Sequence, residues 1–409
     1  MVLLAAGAIV RSERSVEAKT ATKEVTTQNG DGPVIEVQED SSDEDELEEY
    51  GLKRVGTFGK LHLFGYGDIQ YHNYLGTQQN KIDVKNLTIG IGYDFTDKIK
   101  MRSEIDFEHG FNEPEIEFAY IDFLFKSWVN ARAGAILVPM GILNEHHEPT
   151  LYYSVDRPLL YRNIIPTEWP GIGGGFHGHF GQGFDYELYG LSSLTAVQLN
   201  ENGTVDFSFT GSDGFDDAHT LGEGPGQNFG AAGRLEYKGM PGLRIGTSIF
   251  AGDTGQGVSG VGGAFLTMIE GDAKYSFQGI DLEGIVVFTE LNDAGNINNV
   301  LIAADPTFNN FVASQMIGWY LEADYHTFHH LLPDTNQDLV LFTRYEKVNT
   351  QLKMPKTFAA DPANDRYLIT SGVSYLPIPQ VALKADFVVN QNTAYSGANK
   401  FDLGVAFYY

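Results

Sequence analysis

The chain of 409 residues contains no cysteine, which removes disulfides, thiolate metal sites and c-type haem attachment together. It has no apolar run of about 18 residues or more, so no segment suits a membrane-spanning helix. Proline is scarce, at 15, and falls mostly between the apolar runs, where a strand could not use it. Positive charge is also short. Lys and Arg number 27 against 54 Asp and Glu, for a net charge of −27, which argues against nucleic acid held through its phosphates. Part of that charge is local, since positions 39–49 hold eight acids in eleven residues.

Glycine (47) and aromatics (12%) are abundant instead. Glycine suits a sheet that must curve and turn tightly, and aromatics suit the belts where a membrane meets water. Met1–Val10 is apolar and small, with Ala6-Gly7-Ala8 as a cleavage-like site and Val16-Glu17-Ala18 as a poorer one. Residues 1–18 are therefore expected to be the remnant of an export signal that lacks its basic start. Residues 19–56 are polar and acidic, and are expected to be a disordered periplasmic tail.

From Phe58 onward apolar and polar residues alternate. Ile99, Met101, Ile105 and Phe107 interleave with Lys98, Lys100, Arg102, Glu104, Asp106 and Glu108. Val381, Leu383, Ala385, Phe387 and Val389 interleave with Lys384 and Asp386. A soluble β-sandwich shows the same alternation, but its strands average roughly five or six residues. These runs reach ten or more, the length that crosses a bilayer at a tilt. Sixteen such segments can be counted between residues 58 and 409. Connections after even-numbered segments are mostly tight; those after odd-numbered ones are often long, as at 139–171, 194–228, 291–314 and 349–364. Short periplasmic turns opposite long outer loops characterise outer-membrane barrels. The expected fold is all-β: a transmembrane antiparallel β-barrel of about sixteen strands over 57–409, in the outer membrane of a Gram-negative-type bacterium. A hairpin around Thr204–Thr210 would raise the count to eighteen. The last strand, Phe401–Tyr409, ends on an aromatic and resembles the signal read by the outer-membrane insertion machinery.

The most distinctive segment is 134–181. Its run Val138-Pro139-Met140-Gly141, then Asn144-Glu145-His146, His147-Glu148-Pro149, Asp156-Arg157-Pro158, Ile165-Pro166-Thr167-Glu168-Trp169 and Gly171–Gly175, resembles porins of the phosphate-selective O and P type. The resemblance implies a sixteen-stranded, trimeric channel whose third outer loop folds into the lumen. Phosphate selectivity in that family rests on arginine ladders and a lysine cluster, and this sequence shows neither clearly.

Glu145, His146, His147, Glu148, Asp156, Arg157 and Arg162 are the candidate constriction residues on that loop. Arg102, Glu104, Asp106, Arg132, His177, His179, Arg234, Glu236, Arg244, Glu322, Asp324, Arg344, Lys384 and Asp386 are the candidate lining. Inward acids outnumber inward bases, which leans toward cations, because rings of one sign select in a narrow pore. Arg157 and Arg162 would oppose them at the constriction. His146, His147, His177 and His179 invite a metal reading, but no fixed third ligand is apparent, and neither metal nor cofactor is expected. The glycine run lacks the Lys-Ser/Thr ending of a phosphate loop, and no nucleophile elbow occurs.

Passive diffusion of ions and small hydrophilic solutes is thus the expected function, with phosphate or other anions among them by the resemblance. The expected partners are outer-membrane lipid, the solutes and two further copies of the chain. Two alternatives stand beside it: a barrel sheath or anchor for an electron-transfer or envelope partner, and an outer-membrane barrel enzyme.

Overall fold

A computed structural model describes residues 56–409, except 59, 77, 111–112, 201, 217, 220 and 222–225. The expected export segment, and the tail as far as residue 55, lie outside the described residues.

Sixteen long strands run in chain order. They are β1 (Leu61–Tyr74), β2 (Lys81–Thr96), β3 (Ile99–Glu108), β4 (Glu113–Lys126), β5 (Val129–Leu137), β6 (Pro170–Phe180), β7 (Phe184–Ser192) and β8 (Phe229–Met240). After these come β9 (Leu243–Asp253), β10 (Phe265–Phe277), β11 (Ile280–Leu291), β12 (Gln315–His326), β13 (Asp338–Lys353), β14 (Asp365–Ile378), β15 (Val381–Asn392) and β16 (Lys400–Tyr408). Each pairs antiparallel with the next. The ring closes where β16 meets β1, in register from Lys400 opposite Tyr74 to Tyr408 opposite Tyr66. Closure removes the free edges that would otherwise template aggregation. The terminal residue extends the seam: Tyr409 N–H donates to the Gly65 carbonyl at 2.8 Å, and Gly65 N–H returns a bond of 2.9 Å.

The sixteen strands match the alternating segments of the sequence. The suspected hairpin also exists, as Val197–Leu199 against Val205–Ser208, but it forms a separate two-stranded sheet outside the ring.

The partition of residues is inverted relative to a soluble protein. In β9, Ile245 and Ile249 are each 47% exposed, whereas Gly246, Ser248 and Phe250 between and beyond them are buried. In β12, Leu321 is 62% exposed while Glu322 and Asp324 are buried. The exposed Leu, Ile and Val of the strands thus face outward and most of their charge faces inward around the ring. A wall of this kind is stable only where its outer solvent is hydrocarbon. Exposed aromatics gather where strands meet the short turns: Phe95, Phe125, Trp128, Phe180, Tyr275, Phe277 and Tyr325. They mark one membrane–water interface.

Two irregularities re-aim side chains. Asp68 pairs with Asn86 but Ile69 with Val84, leaving Lys85 as an extra residue in β2. Glu104 pairs with Phe118 but Ile105 with Ile116, leaving Glu117 extra in β4. Bulges of this kind turn a side chain off the pleat. Glu117 and Phe118 are consecutive yet both buried.

Candidate functional site

A ring of sixteen strands encloses more space than its own side chains fill. Loop 138–169, between β5 and β6, occupies that space. Its neck is closed by Val138 N–H donating to the Trp169 carbonyl at 2.8 Å. Asn144 stitches the same neck: its amide donates to the Val138 carbonyl (2.7 Å) and its Oδ1 accepts from Trp169 N–H (2.9 Å). Gly141 turns the chain inward at φ +71°, and a Cβ there would lie 2.5 Å from the Tyr161 hydroxyl. That hydroxyl oxygen accepts from Ile142 N–H (2.5 Å) and Leu143 N–H (3.2 Å). Trp169 is fully buried, edge-on to Phe250 of β9 with ring centroids 4.8 Å apart.

Beyond the neck the loop reaches the far wall. Lys384 of β15 donates to the carbonyls of Pro149, Tyr152 (2.7 Å) and Ser154 (2.9 Å). Val155 N–H donates to Asp386 at 2.6 Å, and Gln70 of β1 donates to the Val155 carbonyl at 3.2 Å. Arg344 of β13 holds the Ser154 hydroxyl at 2.7 Å, and Leu159 N–H donates to Glu346 at 2.6 Å. Asp156 pairs with Lys400 of β16. On the near wall His147 Nε2 lies 3.1 Å from Glu104 of β3. Contacts with β1, β3, β9, β13, β15 and β16 can be made together only from inside the ring.

Each constriction candidate can be placed. Glu145 and His146 line a polar cavity of ≈ 110 Å³ at the short-turn end of β5–β9. His147 and Glu148 are buried. Burial alone would depress the His147 pKa, but the hydrogen bond and charge of Glu104 more than offset it and raise it to about 9. Burial pushes Glu148 up to about 7. Arg157 pairs with Glu168 inside the loop and donates to the His147 carbonyl at 3.0 Å. Arg162 departs from the group: its side chain is 65% exposed and pairs with Asp216 of the next outer loop.

The lining candidates face inward. Arg102 pairs with Asp94, Arg132 with Asp122, Arg244 with Glu236, and Arg344 with Glu322 and Glu346. Arg234 bridges Glu236, Glu270 and Asp272. Asp106 accepts from Thr88 at 2.7 Å. His177 lies 3.4 Å from Asp122, and His179 pairs with Asp185. Asp324 is buried with one oxygen unpaired. The four histidines do not converge: His146, His177 and His179 line the polar cavity, while His147 turns to the Glu104 wall.

Alternation could not reveal several residues of the site. Lys85 and Glu117 sit on bulges, and a strict period of two puts them outside the lumen. The row Glu113, Glu115, Glu117 held a hint, since a lipid-facing acid is costly and argues for a break in register. The apolar filling of the outer half was also unread. Leu160, Ile164, Trp169, Phe209 and Phe215 from two outer loops pack with Leu266, Met268 and Val287 of the wall.

No family model matches the chain. The described ring is similar to solved porins. OmpF of Salmonella typhi, in complex with daunomycin, aligns with a TM-score of 0.58 and 12% identity, over 87% of this chain and 100% of that one. The outer-membrane channel DcaP of Acinetobacter baumannii gives 0.56 and 8%, over 88% and 100%. An anion-selective porin of Comamonas acidovorans gives 0.53 and 13%, over 85% and 99%. At these identities the likeness concerns the fold. In sequence, an uncharacterised protein of Aquifex aeolicus (strain VF5) is 31% identical over 339 residues, covering 80% of this chain and 75% of its own length. The chain belongs to the family of that Aquifex protein, and it folds as a sixteen-stranded barrel of the porin type.

Proposed function

We propose that the barrel lies in the outer membrane of a Gram-negative-type cell and conducts ions and small hydrophilic solutes passively, through a bore that loop 138–169 narrows. The observation carrying this reading is the inverted partition of the wall, apolar outward and charged inward, with one loop lashed across the interior. The protein then supplies width and lining charge, and no residue takes a catalytic role.

The lining favours cations. Arg132, Arg234 and Arg344 are each held by at least one carboxylate, so their charge is spent locally. Inward acids outnumber inward bases along the strands, and Glu187 and Asp386 have no ion pair among the described residues. Fixed charge of one sign sets which ions enter a narrow pore. Selectivity for phosphate, which the loop motif suggests by resemblance, would need exposed bases in its path. The same resemblance supports a homotrimer. Residues 1–18 as an export segment and 19–56 as an acidic periplasmic tail complete the proposal.

Planar-bilayer recording tests it. Purified folded protein should insert in discrete current steps, and a KCl gradient should give a reversal potential of the cation-selective sign. A protein that gives no steps would remove the channel reading; an anion-selective sign would leave the channel and overturn the charge argument.

A further inference from the structure

Where loop 138–169 meets β3 and β4, the walls hold more negative charge than they neutralise. Glu104, Asp106, Glu108, Glu117 and Glu168 converge there, facing Lys85 and Arg157 as permanent cations. Both cations are engaged: Lys85 with Glu108 at 2.5 Å, and Arg157 with Glu168. Asp106 is satisfied by Asn86 and Thr88. Glu117 is different. It is 4% exposed, and among the described residues its carboxylate takes part in no hydrogen bond and no ion pair. The bulge in β4 turns it inward. A carboxyl group held this far from water without a partner sheds the cost of its charge by keeping a proton or by gaining a cation.

His147 is oriented to join it. Its Nδ1 lies 3.2 Å from the Asn144 carbonyl, which can only accept, so Nδ1 carries a proton. Nε2 then faces the Glu104 carboxylate at 3.1 Å, also an acceptor. Nε2 therefore donates to Glu104 when no ion is bound. A histidine whose Nδ1–H is held by a backbone carbonyl has its other ring nitrogen oriented as in a metal ligand. The ligand atoms of Glu117, His147 and Glu168 lie within 4.8 Å of one another, and all three residues are buried.

We propose that Glu117, His147 and Glu168 bind a divalent first-row transition-metal ion that clips the inward loop to the barrel wall. One imidazole with two carboxylates suits Zn²⁺, Mn²⁺ or Fe²⁺ better than Ca²⁺ or Mg²⁺, which prefer oxygen alone. The ion supplies the positive charge that Glu117 lacks. It also joins a loop residue from each limb, His147 and Glu168, to a strand preceding the loop, which restricts its motion across the bore. The site does not depend on whether the bore conducts.

The test uses the full chain folded in detergent and stripped with chelator. Titration calorimetry with Zn²⁺ should show one site per chain, and Zn²⁺ should raise the unfolding temperature. Glu117→Gln removes a ligand without breaking any hydrogen bond, so the barrel should still fold, and affinity should fall more than about tenfold. Mn²⁺-loaded protein should show imidazole nitrogen coupling in pulsed electron paramagnetic resonance, lost in His147→Gln. Absence of binding in the parent protein, equal Zn²⁺ affinity in Glu117→Gln, or Mn²⁺ without nitrogen coupling would each overturn the proposal.

Discussion

At the scale of the residue, Asn144 and Trp169 hold the loop where it leaves the wall. Asn144 donates to the Val138 carbonyl and accepts from the Trp169 N–H at the buried neck. Asn144→Leu keeps volume but orphans the Trp169 N–H, while the Val138 carbonyl keeps the Met140 N–H at 2.7 Å. It should cost about 1–3 kcal/mol, the cost of one buried unpaired backbone group. Trp169→Ala empties a site packed on Phe250 and should cost about 3–5 kcal/mol. Urea unfolding midpoints in a lipid bilayer measure both, and loss of less than 1 kcal/mol in either would mean the neck is not held as described. Glu117 shows what a pattern of period two conceals. Its carboxylate enters the lumen only because one extra residue is inserted opposite the Glu104–Ile105 step. The single inserted residue leaves one trace in the sequence, the acidic row Glu113, Glu115 and Glu117.

At the scale of the element, the strands were legible because two solvents impose them. Hydrocarbon outside and polar interior inside force alternate residues apart in character, as along Arg244, Ile245, Gly246, Thr247, Ser248 and Ile249. The same physics gives a test of orientation. Leu321→Arg, near the middle of β12, puts charge into lipid and should cost about 2–4 kcal/mol in bilayer unfolding. A cost near zero would mean that Leu321 does not face hydrocarbon. Loops have no such second solvent. That loop 138–169 turns inward was readable from its motif, but not which strands it reaches. Its partners Lys384 and Asp386 lie more than 200 residues away. Phe209 and Phe215 of loop 193–228 also fill the outer half of the barrel, and aperiodic segments carry no signal of which face they will meet.

At the scale of the whole molecule, the closed ring fixes a cylinder and the inward loop fixes how much of it is open. The lashings from Lys384, Asp386, Arg344 and Glu346 draw the loop to the wall opposite its neck. That wall is rigid because every strand is paired on both sides. The loop is therefore the element whose removal should change conductance while the barrel remains. The most direct measurement compares single-channel steps of the parent chain with those of a variant carrying Lys384→Met, Asp386→Leu, Gln70→Leu and Ser154→Ala. This set removes the side-chain ties to Pro149–Val155 without changing net charge. Larger steps from a barrel that still folds are expected. Steps of unchanged size in the untied variant would contradict a bore set by loop 138–169.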